Sequence, residues 1–394
     1  MKHPLRASLS LVSCLGTLAL LISPVLAQVN GPGPSPSNLF DTVLNLPGDE
    51  AIISGASGES IGGAPDQTTQ LNVMDNGIVG NSFSAFSVSE VNISGGLVGF
   101  DLVASESEVN ISGGFVFSRF DVNSSVVNIS GGEVIRCLDV FGGSVVNISG
   151  GTVGNDLDAS GSVLNISGGE VGRFLDAFDG SVVNISGGEV GGWATAHSGS
   201  EVNISGGSVG CSFNAFPGSE VNISGGEVGS GFDAASEVNI SGGVFGDDFA
   251  ALNGSEVNIS GGIIGDNFDV SSGAQVNFFG SQFFIDGVEL DPLLLGHAFT
   301  ITDRDVTLSG LLVDGQSFSF DLNSFDPDAT VTVTISNSVL LGDVNQDGVV
   351  DFFDIQPFIE VLSAQTFQNE ADIDGNGVVD FFDIQPFIDI LSGP

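Results

Sequence analysis

Val91-Asn92-Ile93-Ser94-Gly95-Gly96 is the first of ten copies of one string, whose asparagines stand at 92, 110, 128, 147, 165, 184, 203, 222, 239 and 258. Successive copies lie 17 to 19 residues apart. The residue before each Asn is Val or Leu, and the residue after it is always Ile. Six positions beyond the Asn the residue is apolar in every copy, from Val98 to Ile264; ten beyond stands Leu, Phe or Ala; twelve beyond stands Ala or Val. Apolar residues alternating within such short segments are a strand pattern. Segments this short bury no face alone, but coils stacked one strand spacing apart, ~4.8 Å, merge their inward Val, Ile and Phe into one core. The expected fold is therefore mainly β, a single-stranded parallel β-helix of about 18–19 residues per coil over residues 71–279, with Gly-Gly and a Gly/Ser corner at its turns.

A repeat of this kind puts like side chains on top of one another. The Asn-Ile-Ser triplets match the N-glycosylation acceptor, yet one fixed place per coil is better suited to an amide ladder bonded from coil to coil. Glu90, Glu108, Glu201, Glu220, Glu237 and Glu256 share one position, and Asp121, Asp139, Asp158, Asp176, Asp233 and Asp269 share another. Stacked carboxylates repel, so the expectation is a solvated acidic face screened by salt, with divalent cations as the other way to relieve it. Cys137 and Cys211 lie four coils apart, beyond the reach of a disulfide with each other.

The rest of the chain agrees with an exported polyanion. It carries 49 Asp and Glu against 6 Lys and Arg, a net charge of -43, and is 41% hydrophobic, which is too apolar for a disordered acidic tail. So few cations exclude nucleic acid and anionic lipid surfaces as partners. Lys2 and Arg6 precede an apolar run over 9–26 that ends at Ala27, so residues 1–27 read as a signal peptide. The expected location is secreted, extracellular or at the cell surface, with no membrane contact after cleavage. Residues 28–70 open with Gly31-Pro32-Gly33-Pro34-Ser35-Pro36-Ser37 and read as a linker and N-terminal cap. Over 280–341 the period stops, and Ile301-Thr302-Asp303, Phe318-Ser319-Phe320 and Val331-Thr332-Val333-Thr334-Ile335 predict β-hairpins forming a C-terminal cap.

Residues 342–394 hold the most specific chemistry. Asp343, Asn345, Asp347, Asp351 and Asp354 fall at loop positions 1, 3, 5, 9 and 12, with Gly348 at position 6 and the Val349 carbonyl at 7. This oxygen spacing is that of an EF-hand calcium loop. It recurs 29 residues later as Asp372, Asp374, Asn376, Val378, Asp380 and Asp383. Each loop leads into Ile-Gln-Pro-Phe-Ile. Ile355, Phe358, Ile359 and Leu362 are expected on one helical face, with Pro357 and Pro386 delaying the helix start. The duplicated loop with Asp at position 12 and one helix after each copy resembles a type I dockerin. That resemblance implies two calcium ions on the residues just named and a cohesin-like or cell-envelope partner recognised at positions 10 and 11, here Phe352, Phe353, Phe381 and Phe382. The combination with a signal peptide and acidic coils resembles secreted planctomycete-type bacterial proteins, and the coils resemble the pectate-lyase-like β-helix superfamily.

That superfamily implies polysaccharide as a further partner and polysaccharide catabolism as an alternative function, by a polysaccharide lyase or an O-glycosyl hydrolase. The residues lean away from an enzyme. Beyond the leader the only arginines are Arg119, Arg136, Arg173 and Arg304, scattered in sequence, and carboxylates are too periodic for one pair to stand out. Trp193 and His197 look isolated. No catalytic residue is assigned. The preferred expectation is a secreted acidic structural or adhesive β-helix protein with a calcium-dependent C-terminal docking module for assembly outside the cell.

Overall fold

The computed structural model describes residues 69–336 with few gaps, strands at 42–46, 52–53 and 60–61 before them, and beyond them 342, 344–345, 350, 352–364, 368, 371, 373 and 378–392. The expected signal peptide lies outside the described residues. The chain divides into two compact units, Met1–Val257 with Ile264–Asp269, and Asn258–Ile263 with Val270–Pro394.

In the first unit, Glu90–Val98 pairs in parallel with Glu108–Val116, and the pairing continues through Val126–Phe141, Val145–Ala159, Val163–Val171, Val182–Val190 and Glu201–Val209. Asn meets Asn at every step, so the register is that of the sequence repeat. The body is the expected parallel β-helix, a β-solenoid of about 11 turns. From Asn92 to Asn239 each side-chain Nδ2 donates to the Oδ1 of the preceding coil's asparagine at 2.8–3.1 Å, the first reaching Asn72. The fold thus uses these amides as a ladder. Thr42–Leu46 also pairs in parallel with Thr69–Val73, placing a solenoid strand inside the segment expected as linker and cap.

Gly-Gly is required twice over at each turn. A Cβ on Gly131 would lie 2.5 Å from the Ser112 carbonyl oxygen of the coil before, and Gly132 adopts φ +74°. The next corner differs from the expectation of a Gly/Ser turn. The residue nine beyond each Asn is left-handed although it is seldom glycine: Asp101, Arg119, Cys137, Asp156, Phe174, Trp193, Ser212, Asp248 and Asn267 all have φ between +56° and +67°. Left-handed backbone costs about 1–2 kcal/mol in such residues, and here it turns their N–H toward the next coil, as Trp193 N–H does to the Cys211 carbonyl at 2.8 Å. Cys211 itself is a free, exposed cysteine.

Inside, Val, Ile and Leu fill the coils, and Phe213, Phe232, Phe249 and Phe268 stack at 4.8–5.0 Å between ring centres. Three residues before each repeat asparagine stands a serine, from Ser89 to Ser255, buried in all ten copies. In several coils its hydroxyl donates to the carbonyl three residues earlier, at 2.5 Å for Ser181 and 2.6 Å for Ser200, which closes the third corner.

In the second unit, Gln275–Ile285 pairs in parallel with Thr330–Ile335 and antiparallel with Thr307–Leu312, and Thr307–Leu312 forms a hairpin with Ser317–Asp321. Arg304 ties this β-rich segment together by donating to the carbonyls of Ile301 at 2.7 Å and Ala329 at 2.6 Å. The two helices, α1 (Ile355–Ala364) and α2 (Ile384–Ser392), follow at the C-terminus.

Candidate metal-binding and docking site

Each C-terminal helix is entered through one tight turn, Phe352–Asp354 before α1 and Phe381–Asp383 before α2. The prolines do not delay the helices as expected. Pro357 and Pro386 sit in the first helical turn, where a missing N–H has no intrahelical partner to lose. Phe358 and Phe387 stack at 4.2 Å and, with Val344, Ala371 and Val379, make a small core against which Val361, Leu362, Ile373, Ile384 and Leu391 pack. This corrects the expected helical face. Phe358 and Leu362 turn inward, but Ile355 and Ile359 are exposed, because the ring stack draws the 358–361–362 arc toward the partner helix.

The last acid of each loop is wholly buried: Asp354 and Asp383 are both 0% exposed. Asn345 N–H donates to Asp354 Oδ1 at 2.9 Å, and Ile373 N–H donates to Asp383 Oδ1 at 2.7 Å. Asp380 N–H donates to Asp383 Oδ2 at 2.8 Å while Asp380 Oδ1 accepts from Phe382 N–H at 2.7 Å, a reciprocal cap on the second helix. These bonds aim the carboxylates back toward the loops. Asp343, Asp347, Val349, Asp351, Asp372, Asp374 and Asn376 lie outside the described residues, and Val378 is an exposed loop residue.

The donor set fits a hard cation. A buried carboxylate needs a compensating charge, and from residue 305 to the end the chain contains no Lys, Arg or His. Only an ion from outside this segment's own side chains supplies that charge, and oxygen ligands of this number suit calcium.

Next to each buried acid stand the most exposed aromatics of the chain. Phe352 and Phe353 are 70% and 65% exposed, and Phe381 and Phe382 are 78% and 70% exposed. With Ile355, Ile359 and Ile388 also exposed, each repeat offers an apolar patch beside its loop, a feature of interaction surfaces.

The solenoid carries a second concentration of chemistry that sequence reading held apart. Asp121, Asp139, Asp158 and Asp176 meet in register on four successive coils. Burial, then the neighbouring carboxylates Asp176, Asp139 and Asp156, pushes Asp158 up to about 7. Burial also raises Asp121, Asp139 and Asp176, against the pull of Arg119 on the first and of Thr195 and His197 on the last. The repulsion expected to need salt or metal is thus relieved in part by protons. Arg136 Nε pairs with Asp156 at 3.0 Å and Arg119 Nε lies 3.6 Å from Asp121. Trp193, read as isolated, stacks on Phe174 at 5.5 Å with the Arg173 guanidinium 4.8 Å from its ring centre.

A β-solenoid with a duplicated, acid-lined loop–helix module defines a class of modular docking proteins. Residues 341–391 match the dockerin type I domain, so the chain carries that domain at its C-terminus on a β-solenoid body. No curated protein and no solved structure matches the chain. Type I dockerin domains bind calcium, dock onto cohesin partners and occur in extracellular or cell-surface proteins. Among the described residues no helix is long and apolar enough to cross a membrane.

Proposed function

We propose that this chain is a secreted, acidic structural or adhesive protein, whose solenoid is a stiff arm and whose dockerin domain fastens it to a cohesin-like or cell-envelope protein outside the cell. In this reading residues 1–27 direct export and are removed, 28–70 form linker and cap, 71–279 the arm, 280–341 its β-rich cap and 342–394 the docking module. One calcium ion is held by Asp343, Asn345, Asp347, the Val349 carbonyl, Asp351 and Asp354, a second by Asp372, Asp374, Asn376, the Val378 carbonyl, Asp380 and Asp383. The ions supply the positive charge that lets the two loops close. The observation that carries the reading is the burial of Asp354 and Asp383 in a segment without one basic residue. The Phe352-Phe353 and Phe381-Phe382 pairs then meet the partner through an apolar contact rather than through charge.

The test is capture by the immobilised full-length chain, from secreted and envelope fractions and from a panel of cohesin modules, in calcium and in EDTA. The expected result is a partner retained in calcium and released by EDTA, with retention lost when all four phenylalanines are replaced by serine. Equal capture in EDTA, or by the serine variant, overturns the reading. Calorimetry on the same protein should count two strong sites in the intact chain.

A further inference from the structure

Two faces of the solenoid repeat their outward residues from coil to coil, because ladder bonds demand like on like. The face that begins at the left-handed corner does not. Over the coils of Asn165, Asn184 and Asn203 it holds the chain's one tryptophan, together with His197, Arg173 and three phenylalanines. We propose that this face is a binding platform for a neutral polysaccharide chain lying along the stack, one sugar unit per coil. The proposal deepens the adhesive reading by naming the ligand class of the arm.

Two aromatic rows border the platform. Phe174 and Trp193, 43% and 44% exposed, stack within 15° of parallel at the left-handed corner. Four residues further along each coil, Phe178, His197 and Phe216 form the second row, with ring centres 4.4 and 5.3 Å apart. Between the rows Asp176, Thr195 and Asn214 meet in register. Carboxylate, hydroxyl and amide thus follow one another at the ~4.8 Å strand spacing, close to the length of one pyranose unit. Sugars combine an apolar ring face with a rim of hydroxyls, and rings flanking a line of mixed donors and acceptors answer both. His197 Nε2 lies 3.6 Å from Asp176 Oδ1, which holds the middle of the platform in place.

Charge selects among glycans. At a net charge of -43 the chain repels uronate or sulfated polymers, and Arg173 is already engaged over the Trp193 ring. An uncharged chain remains the glycan that this face admits.

The molecule contains its own reporter. With one tryptophan and no tyrosine, the intrinsic fluorescence of the intact protein comes from Trp193 at this face. The experiment titrates the full-length protein with hexamers of β-1,4-linked glucose and of β-1,4-linked xylose, with hexagalacturonate and hexalysine as charged comparisons. A saturable emission change with at least one neutral hexamer is expected, weakened about tenfold by Phe174→Asn. Asn267 shows that asparagine fits the same corner in another coil. Phe178→Ser, which places the residue found at Ser160 one coil earlier, should weaken it likewise, each with an unchanged circular dichroism spectrum. No response to either neutral hexamer at millimolar concentration overturns the proposal. A response confined to hexalysine or hexagalacturonate does so too, as does one unaltered in both variants. Calcium-dependent capture of a protein partner is a separate readout, so failure here leaves the docking reading standing.

Discussion

In the solenoid, Asp121, Asp139, Asp158 and Asp176 stack half-buried on an outer face with Arg119 beside the first. In the dockerin domain, Asp354 and Asp383 are fully buried, and no basic residue follows Arg304. Both regions crowd carboxylates in a chain nearly free of cations. They differ in what holds the backbone when the charge is unrelieved. The solenoid has a ladder of hydrogen bonds and an apolar core running through every coil, so protons and salt suffice. The dockerin domain has five buried residues as its core, too little to bury two bare carboxylates, so its folding is tied to metal.

Removing calcium gives the largest effect expected from this contrast. In EDTA the amides around Phe358 and Phe387 should lose hydrogen-exchange protection, while those of Asn184 and Ile185 should keep theirs. Loss in both regions, or in neither, would break the comparison.

Gly132→Ala tests the other side. The methyl group would lie 2.7 Å from the Gly113 carbonyl carbon on left-handed backbone, so the solenoid should lose more than the ~1–2 kcal/mol of that backbone alone, read from thermal unfolding. Calcium affinity should not move.

Asn165→Ala removes the bond donated to Asn147 and the bond accepted from Asn184. At about 1 kcal/mol per hydrogen bond, it should lower solenoid stability less than the glycine change and leave partner capture unaltered.

The smallest effect sharpens the comparison most. Because Asp158 is raised in the folded state from 3.8 to about 7, the folded form binds the extra proton. Its stabilisation is complete below the unfolded value and is lost as pH rises through about 7. The solenoid's midpoint should therefore fall by a few degrees between pH 5 and pH 8, the reverse of ordinary acid denaturation. Asp158→Asn should flatten that slope; a midpoint rising with pH would contradict it.

The ladders were legible in sequence because a hydrogen-bonded stack requires the same residue at the same step, and Asn-Ile-Ser-Gly-Gly states that step in full. The serine ladder was written as plainly, with Ser three residues before each asparagine, but serine at a corner reads as an ordinary turn residue until its burial is seen. The left-handed corner had no such signal. Asp, Arg, Cys, Phe and Trp share no preference that would announce positive φ, and interlocking coils impose it from outside. For the same reason the Trp193, Phe174 and Arg173 cluster was invisible, since its members are near neighbours only across coils. In the dockerin domain the loop acids were readable from spacing alone. The helix face was half misread, because Ile355 and Ile359 fit the helical period of a core that a pair of stacked phenylalanines had already filled.

The in-register stacking of coils has a consequence for inheritance. Each coil presents above what the next one needs below, so duplicating or deleting one whole repeat leaves every interface of the same kind, whereas a single-residue insertion within a strand turns its inward side chains out. Arm length is therefore a quantised trait, adjustable by recombination among near-identical segments in steps of one strand spacing, ~4.8 Å. A lineage carrying such a gene could lengthen or shorten its reach without redesigning either end.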